Sequence, residues 1–397
     1  MTIQLRAAFT VVVLTLVMGL AGCGHYICSE GANFGSSTCD ASTGAGGGGL
    51  NGTGTVYTYL LFDTNPADGM AADSLSLSTN SWQEQESWLP PALPPTPALD
   101  GGTVVVNLGG QKYFYVAFHN GTVYGYSIDG STGALTTVAN AVAVLGGTSI
   151  TANPAGTFLF VSDATSGDIS VFSISPTTGA LTAVGTPFFS GIASAELATD
   201  GAGDYLYATA GTGGAQVAAM SIGSTGTLTL VPGSPFGFPM AKVIGENSGK
   251  YLLGISGFDN HIHVFNIGSQ GVITEATNSP FATAGLPENM VLSPNGNFVY
   301  AFDGEETPME GYSLANLSTG VLTAVVGSPF IGLNLEVGQF DQSGLYMFGI
   351  SEGSSSAEFL PYGADPSTGI IAATATNYAP LGIPEGSFAV SDLTDAP

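Results

Sequence analysis

Residues 153–188 read NPAGTFLFVSDATSGDISVFSISPTTGALTAVGTPF. This stretch holds most of a unit that recurs along the chain. It opens on the turn Asn153-Pro154-Ala155-Gly156, where glycine can take the left-handed conformation a tight connection needs. An alternating aromatic strand follows at 158–163, and after a loop a second strand at 168–175. The turn in TTGAL (177–181) leads to a third strand ending on Pro187 and Phe188. Proline has no N–H and so belongs at the exposed end of an outer strand, while phenylalanine can pack between neighbouring sheets. A fourth strand, ELATD (196–200), leads into the next unit.

Two ladders of glycine carry this unit along the chain. One is Gly110, Gly156, Gly203, Gly249, Gly296 and Gly344; the other is Gly133, Gly179, Gly226, Gly271, Gly320 and Gly369. Both step by about 47 residues, and four short strands per such period make a propeller blade. The turn recurs as STGAL (131–135), STGTL (224–228) and STGVL (318–322); the Pro-Phe ending recurs as GSPF (233–236), NSPF (278–281) and GSPF (327–330).

Six units are complete. The C-terminal SFAVSD (387–392) has the pattern of an innermost strand, and GTVYTYLLFD (54–63) matches GTVYGYSIDG (121–130). The expected fold is therefore an all-β, seven-bladed propeller of four-stranded blades, its ring closed by N- and C-terminal strands. Six blades with both ends outside the ring is the other reading. Residues 80–100, with LPPALPPTP (89–97), fit no repeat and are predicted to be a Pro-rich insertion within a propeller over 55–397.

Composition agrees with this reading. Only 9% of the residues are charged, and 58 are glycine, which suits many short strands joined by tight turns. No long stretch shows helical periodicity. The formal charge is −26. With Arg6 in a segment predicted to be removed, the remaining bases are Lys112, Lys242 and Lys250. Such a surface cannot neutralise a row of phosphates, which excludes nucleic acid as a partner.

Residues 1–22 have one base, an apolar run (7–20) and Leu20-Ala21-Gly22 before Cys23. The segment resembles a bacterial lipoprotein signal peptide with its lipobox, which implies acylation of Cys23, contact with the membrane through that anchor alone, and an extracytoplasmic address at the outer membrane or cell surface. Cys28 and Cys39 then form an even pair in an oxidising compartment, where a disulfide is the simplest reading. The Ser-, Thr- and Gly-rich sequence through residue 54 reads as a tether, with a reach of roughly 30 Å.

Aligning the units places Glu196, Lys242, Glu288 and Glu336 within one residue of each other, at the entry of the innermost strand. Those entries ring the central channel, where loops from every blade converge. Three carboxylates and an ammonium there could hold a small molecule, a glycan, a protein group or a cation, or could act as base and electrophile; a wet rim of mutually neutralising charges is the competing reading. His261 and His263 alternate on one strand, but a metal site would need a third ligand, with Asp259 nearby. No metal site is predicted there, and His119 reads as a turn residue. No cofactor is predicted. Asp303, Glu305, Glu306 and Glu310 offer oxygen ligands that a divalent cation such as calcium could take, though without EF-hand spacing. With acids so numerous, mutual repulsion is expected to raise carboxyl pKa values in the folded state.

The recurring strand, ST-G-x-L-T and G-S-P-F pattern over about residues 103–392 resembles the lactonase family of seven-bladed propellers, which includes 6-phosphogluconolactonase and grades into YVTN-repeat proteins. That resemblance implies the fold and, for its enzymes, opening of lactone rings. Resemblance to the phosphosugar members also implies basic residues that grip phosphate, and here the sequence departs, because Lys112 and Lys250 stand beside turns away from the expected mouth. The sequence reading therefore favours a surface-displayed binding or scaffold propeller, with a lactonase-like hydrolase as the alternative.

Overall fold

The computed structural model describes residues 55–62, 69–76, 81–84, 102–118, 121–138, 142–144, 146–211, 216–303, 307–353, 356–373 and 388–393. The lipobox Cys23, the Cys28 and Cys39 pair, the tether, His119, Glu305, Glu306 and most of the Pro-rich segment lie outside these residues. No described helix is long and apolar enough to cross a membrane.

The strands run in chain order as β1 (Thr55–Phe62), β2 (Gly69–Ser76) and β3 (Ser81–Glu84), then through six blades cut from the repeat. The first blade holds β4 (Thr103–Leu108), β5 (Gln111–Phe118), β6 (Thr122–Ile128), β7 (Leu135–Thr137) and β8 (Val142–Ala143). The second holds β9 (Ser149–Ala152), β10 (Phe158–Ser162), β11 (Asp168–Ile174), β12 (Leu181–Ala183) and β13 (Phe188–Phe189); the third holds β14 (Glu196–Thr199), β15 (Tyr205–Thr209), β16 (Val217–Ile222) and β17 (Leu228–Leu230). In the fourth are β18 (Lys242–Gly245), β19 (Tyr251–Ile255), β20 (His261–Ile267), β21 (Ile273–Glu275) and β22 (Phe281–Ala282). The fifth has β23 (Asn289–Leu292), β24 (Phe298–Phe302), β25 (Glu310–Ser313) and β26 (Thr323–Ala324), and the sixth β27 (Val337–Phe340), β28 (Tyr346–Gly353), β29 (Ser356–Ala364) and β30 (Ile371–Ala373). The last strand is β31 (Phe388–Leu393).

Each repeat blade is an antiparallel meander, ordered as in β14-β15-β16-β17, and a terminal sheet of order β3-β2-β1-β31 brings the two ends of the chain together. In it Thr55 pairs with Leu393 and Leu60 with Phe388, and β31 lies beside β4 and β27. The expectation of a seven-bladed propeller whose ring is closed by N- and C-terminal strands is corrected: the repeat builds six blades, each with a four-stranded meander. The first, second and fourth blades each add a fifth short strand, β8, β13 or β22, which pairs with the third strand beyond the end of the fourth. The match between residues 54–63 and 121–130 also misleads on position: β1 is second from the inner edge, whereas β6 is third. Residues 81–84, expected inside an insertion, form the outer strand β3.

The second strand of each blade explains the aromatic runs. In β10, β15 and β19 four consecutive residues are buried, because neighbouring blades cover both faces of the sheet and leave no polar side to alternate with. The cores accordingly lie between blades. Tyr113, Tyr115 and Val123 meet Leu159 and Phe172 between the first two blades, and Tyr207 and Val217 meet Leu252 and Phe265 between the third and fourth.

Turn chemistry fixes the ends. At the first glycine ladder a side-chain oxygen accepts from the start of the second strand: Asn153 Oδ1 from Phe158 N at 2.8 Å, Asp200 Oδ1 from Tyr205 N at 2.8 Å and Asp341 Oδ1 from Tyr346 N at 2.9 Å. At the second ladder Gly179 has φ +68°, and a β-carbon there would run into the ring of Tyr113 from the preceding blade. The serine of the S-P-F motif bonds to the interior of the third strand, since Ser234, Ser279 and Ser328 accept through Oγ from Ala219, Val264 and Gly311 N–H at 2.8, 2.9 and 3.0 Å.

Candidate functional site

The inner strands of successive blades start at one end of the propeller, and their register places the predicted ring. Glu196 pairs with Thr209, Lys242 with Ile255, Asn289 with Phe302 and Val337 with Ile350. Glu196 and Lys242 are therefore equivalent residues on neighbouring inner strands. Thr209 Oγ1 donates to the Ala241 carbonyl at 2.6 Å, which ties the partner of Glu196 to the residue before Lys242. Glu288 and Glu336 stand one residue before that level, where their N–H groups donate to Phe302 and Ile350 carbonyls at 2.8 and 2.9 Å. Both are exposed, whereas Glu196 and Lys242 are half-buried.

At the level of Lys242 in the next blade is Asn289, a residue the sequence reading did not single out. Lys242 Nζ donates to Asn289 Oδ1 at 2.7 Å. Met290 N–H donates to the same oxygen at 2.9 Å. An uncharged asparagine next to Glu288 carries no signal in a pattern of charges.

The other bases lie at the opposite end. Lys112 pairs with Asn107 in the hairpin that turns at Gly109 and Gly110, and Lys250 precedes β19 at the turn after β18. Among the described residues Lys242 is thus the one lysine at the strand-entry end, the end at which Glu196, Glu288 and Glu336 also stand on their own blades.

Farther out at that end, in the fourth blade, His263 lies between two carboxylates, with Nδ1 2.8 Å from Glu275 Oε1 and Nε2 3.3 Å from Asp259 Oδ2. His261 Nδ1 is 3.8 Å from Asp259 Oδ1. Among the described residues no three His, Cys, Asp or Glu side chains are arranged to hold a metal ion. In the fifth blade Gly285, Asp303, Thr307 and Glu310 line a shallow surface depression. Asp303 Oδ1 accepts from Thr307 N–H at 2.7 Å and Glu310 Oε2 from Ala284 N–H at 2.9 Å. Burial raises the Glu310 pKa, and the nearby Asp303 adds to the shift.

Repulsion is not the leading cause of the carboxyl shifts. Burial pushes Asp200 up, with Asp204 a lesser contribution. Asp129 is instead held down at about 2 by hydrogen bonds from the Ser131 and Thr132 hydroxyls and N–H groups.

The family model described as "Lactonase, 7-bladed beta-propeller" matches residues 114–234. That is less than half of the chain, so the expected family resemblance over about residues 103–392 is cut back to this segment, the repeat builds six blades rather than the expected seven, and the match lends no support to a lipoprotein. No curated protein matches the sequence. Among solved structures, a putative 6-phosphogluconolactonase from Bacteroides uniformis is 16% identical with a TM-score of 0.65, covering 85% of this chain and 99% of its own. One from Bacteroides fragilis is 16% identical with a TM-score of 0.64, covering 85% and 98%. The periplasmic gluconolactonase of Pseudomonas aeruginosa is 15% identical with a TM-score of 0.64, covering 85% and 99%. At such identities the likeness is one of architecture: the chain has a propeller fold related to that of lactonase-like proteins.

Proposed function

We propose that this chain opens the ring of an uncharged sugar lactone at the strand-entry end of the propeller. The observation that carries the reading is the half-buried Lys242, which stands at the first position of its inner strand as Glu196 does on the inner strand of the blade before. An ammonium can stabilise the oxyanion that forms when water adds to a lactone carbonyl, and a carboxylate can take the proton from that water and hand it to the ring oxygen as the acyl C–O bond breaks. Glu196 is the base in this scheme and Lys242 the electrophile, with Glu288 and Glu336 on the exposed rim. Support comes also from the family match and from the fold shared with a periplasmic gluconolactonase, which further favours an extracytoplasmic location.

The distribution of charge argues against a phosphorylated substrate. A phosphate ester would meet one lysine among several carboxylates, while the other two lysines stand at the far end. The deciding experiment offers δ-gluconolactone and 6-phosphogluconolactone to the purified chain and follows acid release. Opening of the first well above its spontaneous rate, with little effect on the second, is expected; equal or no acceleration of both defeats the reading.

A binding module for a small molecule, glycan or protein is the second reading. What favours it is that Lys242 donates to the neutral Asn289 rather than to a carboxylate, an arrangement that can hold a polar group without turning it over. Saturable lactone binding without acid release would select it.

A further inference from the structure

Asn289 is a half-buried residue at the first position of β23. Its amide is oriented by chemistry, because both groups that reach it, Lys242 Nζ at 2.7 Å and Met290 N–H at 2.9 Å, are donors. Donors must meet the carbonyl oxygen. The oxygen is therefore committed to the protein, and the Nδ2 amino group lies on the other side of the same planar amide. No described protein acceptor takes Nδ2, and it is not among the buried atoms left without a partner, so it is open to a ligand.

We infer that Asn289 is the positioning and specificity residue of the strand-entry site: it holds the Lys242 ammonium through Oδ1 and presents Nδ2–H beside it, so that the two donors take one carbonyl oxygen of the ligand. The inference rests on the proposed lactone site for its ligand, but not for the Lys242–Asn289 pair. Two donors on one developing oxyanion are the recurrent solution to acyl chemistry. They come here from successive blades, the lysine from the fourth and the amide from the fifth. The lysine side chain is long and flexible, and without Oδ1 nothing in the described structure fixes where its charge sits.

Two measurements on the full chain separate the parts. In the first, acetylation of Lys242 by N-hydroxysuccinimidyl acetate is followed by peptide mass spectrometry, with no ligand present. Asn289→Ala should speed labelling of Lys242 about fivefold, as expected when a charge-assisted hydrogen bond is lost, whereas Asn289→Asp, which keeps an acceptor, should not. Equal labelling of the parent and Asn289→Ala overturns the positioning role. In the second, binding of D-glucono-δ-lactam and turnover of δ-gluconolactone are measured. Asn289→Asp retains the acceptor for Lys242 but has no N–H, so it should bind the lactam about tenfold more weakly, with kcat reduced and the thermal midpoint unchanged. An Asn289→Asp variant that binds and turns over like the parent overturns the donor role. If the parent neither binds the lactam nor opens the lactone while labelling still responds to Asn289→Ala, the lactone reading and the donor role fall and the positioned lysine stands.

Discussion

The Tyr115 hydroxyl donates to the Gly179 carbonyl at 2.7 Å, from the second strand of the first blade to the outer turn of the second. Tyr300 does the same to Gly369 at 2.8 Å, from the fifth blade to the sixth. Both receiving turns close with a bond from glycine N–H to the carbonyl four residues back, Ser175 or Asp365. At the turns ending in Gly226 and Gly271 the bond reaches only three residues back, to Gly223 and Gly268. Phe160 occupies the tyrosine's position opposite the shorter turn at Gly226 and needs no acceptor. Tyr207 occupies it opposite the shorter turn at Gly271, and its fully buried hydroxyl has no hydrogen-bond partner.

Removing these hydroxyls should therefore have opposite consequences. Tyr115→Phe and Tyr300→Phe each lose a buried hydrogen bond and strand a glycine carbonyl, at a cost of about 1 kcal/mol. Tyr207→Phe relieves an unpaired polar atom and should be neutral or stabilising. Chemical denaturation of the three variants checks this; a Tyr207→Phe as damaging as the other two would show that the phenol is satisfied in solution.

The same short turn contains Gln270, the only described residue other than glycine with a left-handed φ, at +65°. Glycine adopts that conformation without a steric penalty. Gln270→Gly should raise stability by a few tenths of a kcal/mol to about 1, the relief being partly offset by the greater freedom of the unfolded chain. A lower thermal midpoint for this variant would mean that the glutamine side chain holds the turn.

At the candidate site, Lys242→Met replaces the ammonium with an apolar chain of similar length. The lysine is half-buried and bonded to one neutral partner, so the fold should survive with a change within about 1 kcal/mol. Lactone binding and turnover should fall at least tenfold. Unchanged turnover in a folded Lys242→Met protein would place the site elsewhere.

The repeat was legible because glycines recur at the same two turns of every blade, with a similar capping or proline residue nearby in most. Gly156 and Gly179 hold positive φ, Asn153 caps the strand that follows, and Ser234 and Pro235 shape the outer edge. The terminal sheet was harder to read, since β1 matches the third strand of a blade in sequence but pairs as the second; alternation fixes the face of a residue, not the rank of its strand. The site was legible only as a level. Charge drew attention to Glu196, Lys242, Glu288 and Glu336, but a one-residue offset separates the last two from the first two. Asn289, which shares the level of Lys242, has no charge to reveal it.

The pH dependence follows from two groups of carboxyls. Asp129 is lowered to about 2, first by the Ser131 hydroxyl; in Asp163 and Asp365 burial is outweighed by hydrogen bonds from Thr165 and Ser166, or from Ser367 and Thr368. These groups bind protons less readily when folded, so the stability they contribute is present above the unfolded value of 3.8 and is lost as pH falls toward about 2. Asp200 and Glu310 are raised, first by burial. They bind protons more readily when folded, so stability is gained as pH falls from neutrality through their folded midpoints. The thermal midpoint should therefore rise modestly from pH 7 toward about 5 and decline below about 4. Asp200 is almost wholly buried, with Oδ2 unpartnered while Oδ1 accepts from Tyr205 N–H. Asparagine keeps that acceptor and removes the charge, so Asp200→Asn should be more stable than the parent at pH 7 and show a smaller rise toward pH 5, with the acid decline unaltered. A variant whose profile parallels the parent's throughout would show that Asp200 makes no contribution to the rise.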